Sequence, residues 1–213
     1  MDNAEERAYR FIINAILTGE FNPGDFLLEL DLAAKLGMSR TPVNKALGLL
    51  VSEGFLNKSP KKGCYVPLPT PHDAELVFTA RQVAEGAAAE LAAKLVTTEE
   101  IEALEEILSK DTKAFEENDK QLWASINEDF HLSIARFSHN AYIEKWVRNM
   151  FWRSNIYVFY FDSFYRASDI AIVHETPQQH AAIIGAIKRH DPEEAGALMR
   201  RHIQTTFSKL LLR

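Results

Sequence analysis

Residues 30–54 read LDLAAKLGMSRTPVNKALGLLVSEG, and the interruption in the middle of this stretch decides the fold of the N-terminal part. Leu30–Leu36 has the spacing of one short helix, and Gly37 suits the left-handed residue that ends one. Ser39 suits the N-cap of the next helix. Pro42 falls in its first turn, where a missing N–H costs little. Val43, Ala46, Leu47 and Leu50 form that helix's inward face, and Gly54 closes it. Two short helices joined at Leu36-Gly37-Met38-Ser39 make a helix-turn-helix. Arg40, Thr41, Asn44 and Lys45 lie opposite the apolar face as i, i+4 neighbours. Arg can hold a guanine with two hydrogen bonds and Asn an adenine, and the first residues of a recognition helix reach base edges. The Ser39 and Thr41 hydroxyls and the N–H groups of the helix start suit phosphates.

On the N-terminal side, Ala8, Phe11, Ile12 and Ile16 are spaced as a helix over residues 4–19, stopped by Gly19 and Asn22-Pro23-Gly24. On the other side, Phe55–Ser59 and Cys64–Pro67 read as two strands around the turn Pro60-Lys61-Lys62-Gly63. This hairpin is a wing: Lys61 and Lys62 would meet phosphates, and Gly63 would allow close backbone approach. The prolines of PLPTPH, residues 67–72, then break regular structure. They divide the chain into a winged helix-turn-helix domain, 1–69, and an all-helical domain, 70–213. Six helices are expected in the second, at about 72–95, 98–117, 120–138, 142–165, 175–189 and 192–212. Thr97 or Thr98 with Glu100, and Asp191 before Pro192, supply start signals. The fold class is mostly α.

The 213 residues carry a net charge of −6, which on its face opposes a nucleic-acid partner. Residues 1–69 hold eight basic and eight acidic residues, so the whole deficit lies in 70–213. Within 37–63, Arg40, Lys45, Lys58, Lys61 and Lys62 face only Glu53. A basic patch therefore sits inside an acidic protein, and double-stranded DNA is the expected partner. No run is long and apolar enough for a membrane helix. MDNAEERAYR lacks a signal peptide's apolar stretch, and the single Cys64 can make no internal disulfide. The expected location is the cytoplasm, with no membrane partner.

Three of seven histidines, His131, His180 and His202, fall on different predicted helices, and Asn127 lies one turn before His131. Three imidazoles and one oxygen suit a divalent metal such as zinc or nickel. The residues alone equally allow core histidines bonded to neighbours, a three-histidine site completed by water or by an effector carboxylate, or a pocket without metal. Arg81 and Arg153 lie on helices that can face one pocket, and arginine suits a planar carboxylate. They are the candidate effector-binding residues, with a surface or interhelix ion pair as the other reading of each. The aromatic run Tyr157–Phe164 reads as core and dimer surface. Glu128-x-x-His131 matches half of a di-iron motif but has no second copy. Zinc-protease and nucleophile-elbow motifs and a glycine-rich phosphate loop are absent from the sequence, so no catalytic residue and no organic cofactor is assigned. A helical metal-dependent enzyme acting on a small organic acid is the alternative.

The segments Pro23-Gly24, Leu32-Ala33-Ala34, Leu36–Val43, Ala46-Leu47, Glu53-Gly54 and Gly63 resemble the winged helix-turn-helix of the GntR family of bacterial transcription regulators. The helical remainder resembles the FCD ligand-binding domain of the FadR-type branch. Arg81, Glu85, Asp129-Phe130-His131, His180 and His202 stand where that domain's pattern places them. The resemblance implies a homodimer that binds DNA and a small, carboxylate-bearing metabolite. It also implies a metal held by four residues, the first usually Asp where this chain has Asn127. The family motif Ser-Arg-Thr-Pro-Val-Arg-Glu-Ala-Leu is met with Asn44-Lys45 in place of Arg-Glu, so the operator's base preference differs.

Overall fold

The computed structural model describes residues 4–116, 120–161 and 170–211, and the account below concerns these. The N-terminal half consists of α1 (Ala4–Leu17), β1 (Phe26–Leu27), α2 (Glu29–Leu36), α3 (Arg40–Ser52), β2 (Asn57–Ser59) and β3 (Gly63–Tyr65). Six helices follow: α4 (Pro71–Leu95), α5 (Thr98–Glu116), α6 (Lys120–Phe137), α7 (Ala141–Phe161), α8 (Ile170–Lys188) and α9 (Pro192–Leu211).

Local signals account for most boundaries. Gly37 closes α2 at φ 61°, and its N–H reaches back to Ala33 and Ala34. Thr70 caps α4 by accepting from the Asp73 N–H at 3.1 Å, with Pro71 next in the chain. Thr97 and Glu100 form a reciprocal capping box, with bonds of 3.3 and 3.0 Å. Asp191 accepts from the Glu194 N–H at 3.0 Å and Pro192 opens α9. Ser39 stands at the N-cap of α3 with extended backbone, but its hydroxyl makes no capping bond.

Three local expectations are corrected. The wing is a three-stranded sheet in the order β1-β3-β2, because Phe26 and Leu27 pair antiparallel with Tyr65 and Cys64. Two residues are too few to show an alternating pattern, so β1 is not legible in the sequence. The hairpin strands are also shorter than expected, since Phe55 and Leu56 are spent as buried core residues rather than in the ladder. Finally, α8 begins at Ile170 rather than near 175, and Pro177 lies inside it. Its missing N–H falls after the first turn, and the helix continues through it.

The halves are not separated by solvent. Ala8, Ile12, Val43, Leu47 and Phe55 share one buried cluster with Ala84, Leu132, Val147, Phe151, Trp152 and Ile156 of the helical half. The Phe55 ring meets Trp152 edge-on, centroids 5.2 Å apart. Gly54, at φ 77°, brings the backbone so near α7 that a Cβ there would lie 3.1 Å from the Asn149 carbonyl oxygen. One polar contact crosses the same seam, with Arg10 3.8 Å from Glu128 of α6. Beside it, within the N-terminal half, the buried Tyr9 hydroxyl donates to Glu53 at 2.7 Å. A second cluster, with Phe78, Phe130, Ile183 and Met199, fills the helical half.

Candidate functional site

Two sites rise from this scaffold. The first is the exposed start of α3 together with the wing. Burying Val43, Ala46, Leu47 and Leu50 turns Arg40, Thr41, Asn44 and Lys45 toward solvent. Their cationic and amide groups are not idle. Arg40 Nη2 lies 3.3 Å from Glu29, and Asn44 Nδ2 donates to the other oxygen of the same carboxylate. Lys45 Nζ lies 3.6 Å from Glu5. On the wing, Lys61 is left-handed at φ 68° and Gly63 at φ 98°. Lys61 and Lys62 are exposed, and Lys62 Nζ sits 6.0 Å from the centre of the Phe26 ring.

The second site lies inside the helical half. His131 from α6, His180 from α8 and His202 from α9 are all buried, and one ligand atom from each falls within 4.8 Å of the others. Each ring is held through Nδ1. His131 Nδ1 meets Glu85 Oε2 at 2.5 Å, His180 Nδ1 meets Asp111 Oδ2 at 2.9 Å, and His202 Nδ1 meets Gln179 Oε1 at 2.7 Å. All three partners are acceptors, so each ring carries its proton on Nδ1 and aims an Nε2 lone pair inward. His131 Nε2 and His202 Nε2 then face each other at 3.4 Å with no proton between them. Among the described residues, His180 Nε2 is buried with no hydrogen-bond partner. Such a donor set fits a cation, and partners of this kind on the far ring nitrogen are what orient histidine ligands.

The electrostatics agree. Burial holds His131 down at about 4, outweighing the pull of Glu85, and holds His202 well below the ordinary histidine value. Both rings stay neutral at pH 7 and able to donate a lone pair. Burial alone would push Glu85 up, but the Arg81 guanidinium overcomes it and keeps the carboxyl ionised at about 2. Arg81 Nε lies 2.5 Å from Glu85 Oε1, and Nη1 donates to Ser154 Oγ at 2.8 Å.

A cavity of about 30 Å³ adjoins the triad, lined by Arg81, Asn127, His131, His202, Asn155 and Thr176 among others. This is room for one or two waters, or for an ion with a water. Asn127 therefore faces the cavity, half-buried, as its spacing from His131 requires. Arg81 also reaches it. Arg153 does not: its guanidinium pairs with Asp73 at 2.7 Å and reaches Asn57 of the wing at 3.5 Å. It is a joint between the halves, because α7 turns that side toward β2. Of the other histidines, His139 and His190 are left-handed residues at helix ends, His72 is exposed, and the His174 side chain lies outside the described residues. Tyr157 and Val158 are buried, while the side chains of 159–164 of the aromatic run lie outside the described residues.

Comparison with known proteins gives these sites a context. The model of the bacterial regulatory proteins of the gntR family matches residues 4–66, and the FCD domain model matches residues 76–205. The chain belongs to the GntR family, in the branch that carries an FCD domain. An uncharacterized HTH-type transcriptional regulator of Agrobacterium vitis is 38% identical over 131 residues, 60% of this chain and 77% of that one. The Nta operon transcriptional regulator of Aminobacter aminovorans is 28% identical over 90% of this chain and 87% of that one. The solved structure of Escherichia coli McbR/YncC superposes with a TM-score of 0.84 at 25% identity, covering 100% of this chain and 99% of that one. The chain is thus a transcription regulator with a GntR DNA-binding fold. Among the described residues, no helix is long and apolar enough to cross a membrane.

The sequence reading missed Asp111 and Gln179, which orient two of the histidines. A signal for Asp111 existed. It shares one helical stripe with Leu104, Ile107, Leu108 and Ala114, and a carboxylate on an apolar stripe needs a buried partner. For Gln179 there was none.

Proposed function

We propose that residues 1–69 form a DNA-binding domain and 70–213 an effector-binding and dimerisation domain, and that the regulator binds a near-palindromic operator as a homodimer. The observation that carries this reading is the start of α3, where Arg40, Thr41, Asn44 and Lys45 face solvent over a fully apolar inner face. Two such helices would enter major grooves about 34–36 Å apart, or a multiple of that. Ser39, whose hydroxyl makes no capping bond, is open to a phosphate, as are the exposed Lys61 and Lys62.

A mobility shift on DNA upstream of its own gene tests the reading. Arg40→Ala should lose base discrimination worth about 1–3 kcal/mol. Lys62→Ala should weaken all sequences alike and flatten the salt dependence by about one phosphate contact. No sequence-preferring complex at moderate salt, or equal behaviour of the two variants, refutes the assignment.

The helical pocket would hold a divalent cation, zinc or nickel, on Nε2 of His131, His180 and His202, with Asn127 Oδ1 on the same side. A bound cation would supply a positive centre for a small carboxylate effector. Arg81 is largely committed to Glu85 and Ser154, which leaves its Nη2 for that carboxylate. The cavity is smaller than a metabolite, so the walls must part on binding, and α6 carries that movement. It bears Asn127 and His131 toward the pocket and Glu128 toward Arg10 of the DNA-binding half. Coupling of this kind is typically about 1–3 kcal/mol. Elemental analysis of protein purified without chelator or a nickel column should find one metal per chain, and His180→Ala should lose it. Equal metal in both proteins contradicts the site.

A further inference from the structure

We infer that Glu29, the first residue of α2, is a specificity-determining residue that sets which bases the start of α3 accepts. It is a positioning residue, acting through Arg40 and Asn44, and the inference rests on the DNA-binding reading above. Its carboxylate holds both side chains at once, Oε2 on Arg40 Nη2 at 3.3 Å and Oε1 on Asn44 Nδ2. It is two-thirds buried, whereas Arg40 is 68% exposed, so the anchored partner is the acid and the presented one is the base reader.

The consequence lies in the chemistry of the amide. An Asn side chain carries a donor end and an acceptor end, and a free one can turn either toward a base edge. A carboxylate only accepts. Glu29 therefore fixes the amide with Nδ2 toward itself and Oδ1 away from it. The presented group is then an acceptor, matched by the exocyclic amines of adenine and cytosine in the major groove and opposed by the keto oxygens of guanine and thymine. Arg40, tethered by one Nη, keeps the rest of its fork for a neighbouring guanine. The α2 carboxylate thus joins two side chains of α3 into one reading unit.

The test is binding of the full-length protein to an operator library randomised at each half-site position, for wild type, Glu29→Ala, Glu29→Gln and Asn44→Ala. In wild type, one symmetric pair of positions should favour A or C over G or T by about tenfold. Glu29→Ala should reduce that preference to about twofold while raising affinity for unrelated DNA, because an anion leaves the DNA face. Glu29→Gln, whose Oε1 still accepts from Asn44, should retain most of it. Asn44→Ala should lose the same position, and adding Glu29→Ala should change that position no further. A matched thermal melt keeps misfolding apart from misreading. A wild-type preference that survives Glu29→Ala, or a Glu29→Ala effect equal at every sequence, overturns the inference alone. Wild type without any base preference overturns the DNA-binding reading as well.

Discussion

Replacing Glu85 with Ala is expected to destabilise the protein by about 3–5 kcal/mol, the range found when one partner of a buried ion pair is removed. Glu85 is 1% exposed and serves two groups, Arg81 on one oxygen and His131 on the other. Without it the Arg81 guanidinium stays buried, left with Ser154 Oγ, a 3.5 Å approach to His131 and the Phe78 and Phe151 rings. Removing both charges should cost much less than the sum of the two losses. Arg81→Met with Glu85→Met is therefore expected to be more stable than Glu85→Ala. Urea unfolding of the chelator-treated proteins measures both, and additive losses would show that the two residues do not act as a pair. Metal uptake should fall in every Glu85 variant, because His131 loses the acceptor that keeps its proton on Nδ1.

The pattern of what was legible follows from the range of each interaction. Apart from the start of α8, the helices of the described residues fall near where apolar spacing and caps place them, because those signals are local. Gly37, Thr97-Glu100 and Asp191-Pro192 each act within four residues. The strand Phe26–Leu27 was not legible, since only its pairing with Tyr65 and Cys64, nearly forty positions away, makes it a strand. Pro177 inside α8 is a local signal that misleads, because the helix is held by burial of residues such as His180, Ile183 and Ile187. The shared core of the two halves was hidden for the same reason. Phe55, Trp152 and Gly54 look ordinary alone, and their meeting is a tertiary fact.

The site divides along the same line. His131, His180 and His202 were legible as a set because their types and the family pattern select them, and the geometry brings their rings together. Arg153 was not separable from Arg81 in sequence. Both are arginines on helices of the same domain, and only the packing of α7 against the wing sends Arg153 to Asp73 and Asn57. Asp111 and Gln179 are invisible to motif reading because their task is to hold a ring nitrogen, which any nearby acceptor can do.

Glu128→Gln is expected to stabilise the protein by up to about 3 kcal/mol at pH 8 and by less than about 1 kcal/mol at pH 5. Burial raises the Glu128 carboxyl to about 7; Arg10 and Arg148 oppose the rise, and Asp129 and Glu53 support it. In the unfolded chain the same group titrates near the ordinary 4.5. The folded state thus holds the proton more tightly, and stability linked to this group is complete below about 4.5 and declines as pH rises through 7. The separation of the two values corresponds to about 3 kcal/mol. His131 works in the opposite direction. Its folded value of about 4 lies below the ordinary 6.5, so its contribution is complete above 6.5 and is lost as pH falls toward 4. The two slopes oppose each other between pH 4.5 and 6.5, which flattens the wild-type profile. Glutamine is neutral at every pH and removes the Glu128 share of the slope. Urea unfolding at pH 5 and pH 8, with chelator present, separates the cases. An equal increment at both pH values would mean that Glu128 carries no buried charge, and a loss at pH 8 would mean that its attraction to Arg10, 3.8 Å away, exceeds the cost of burial.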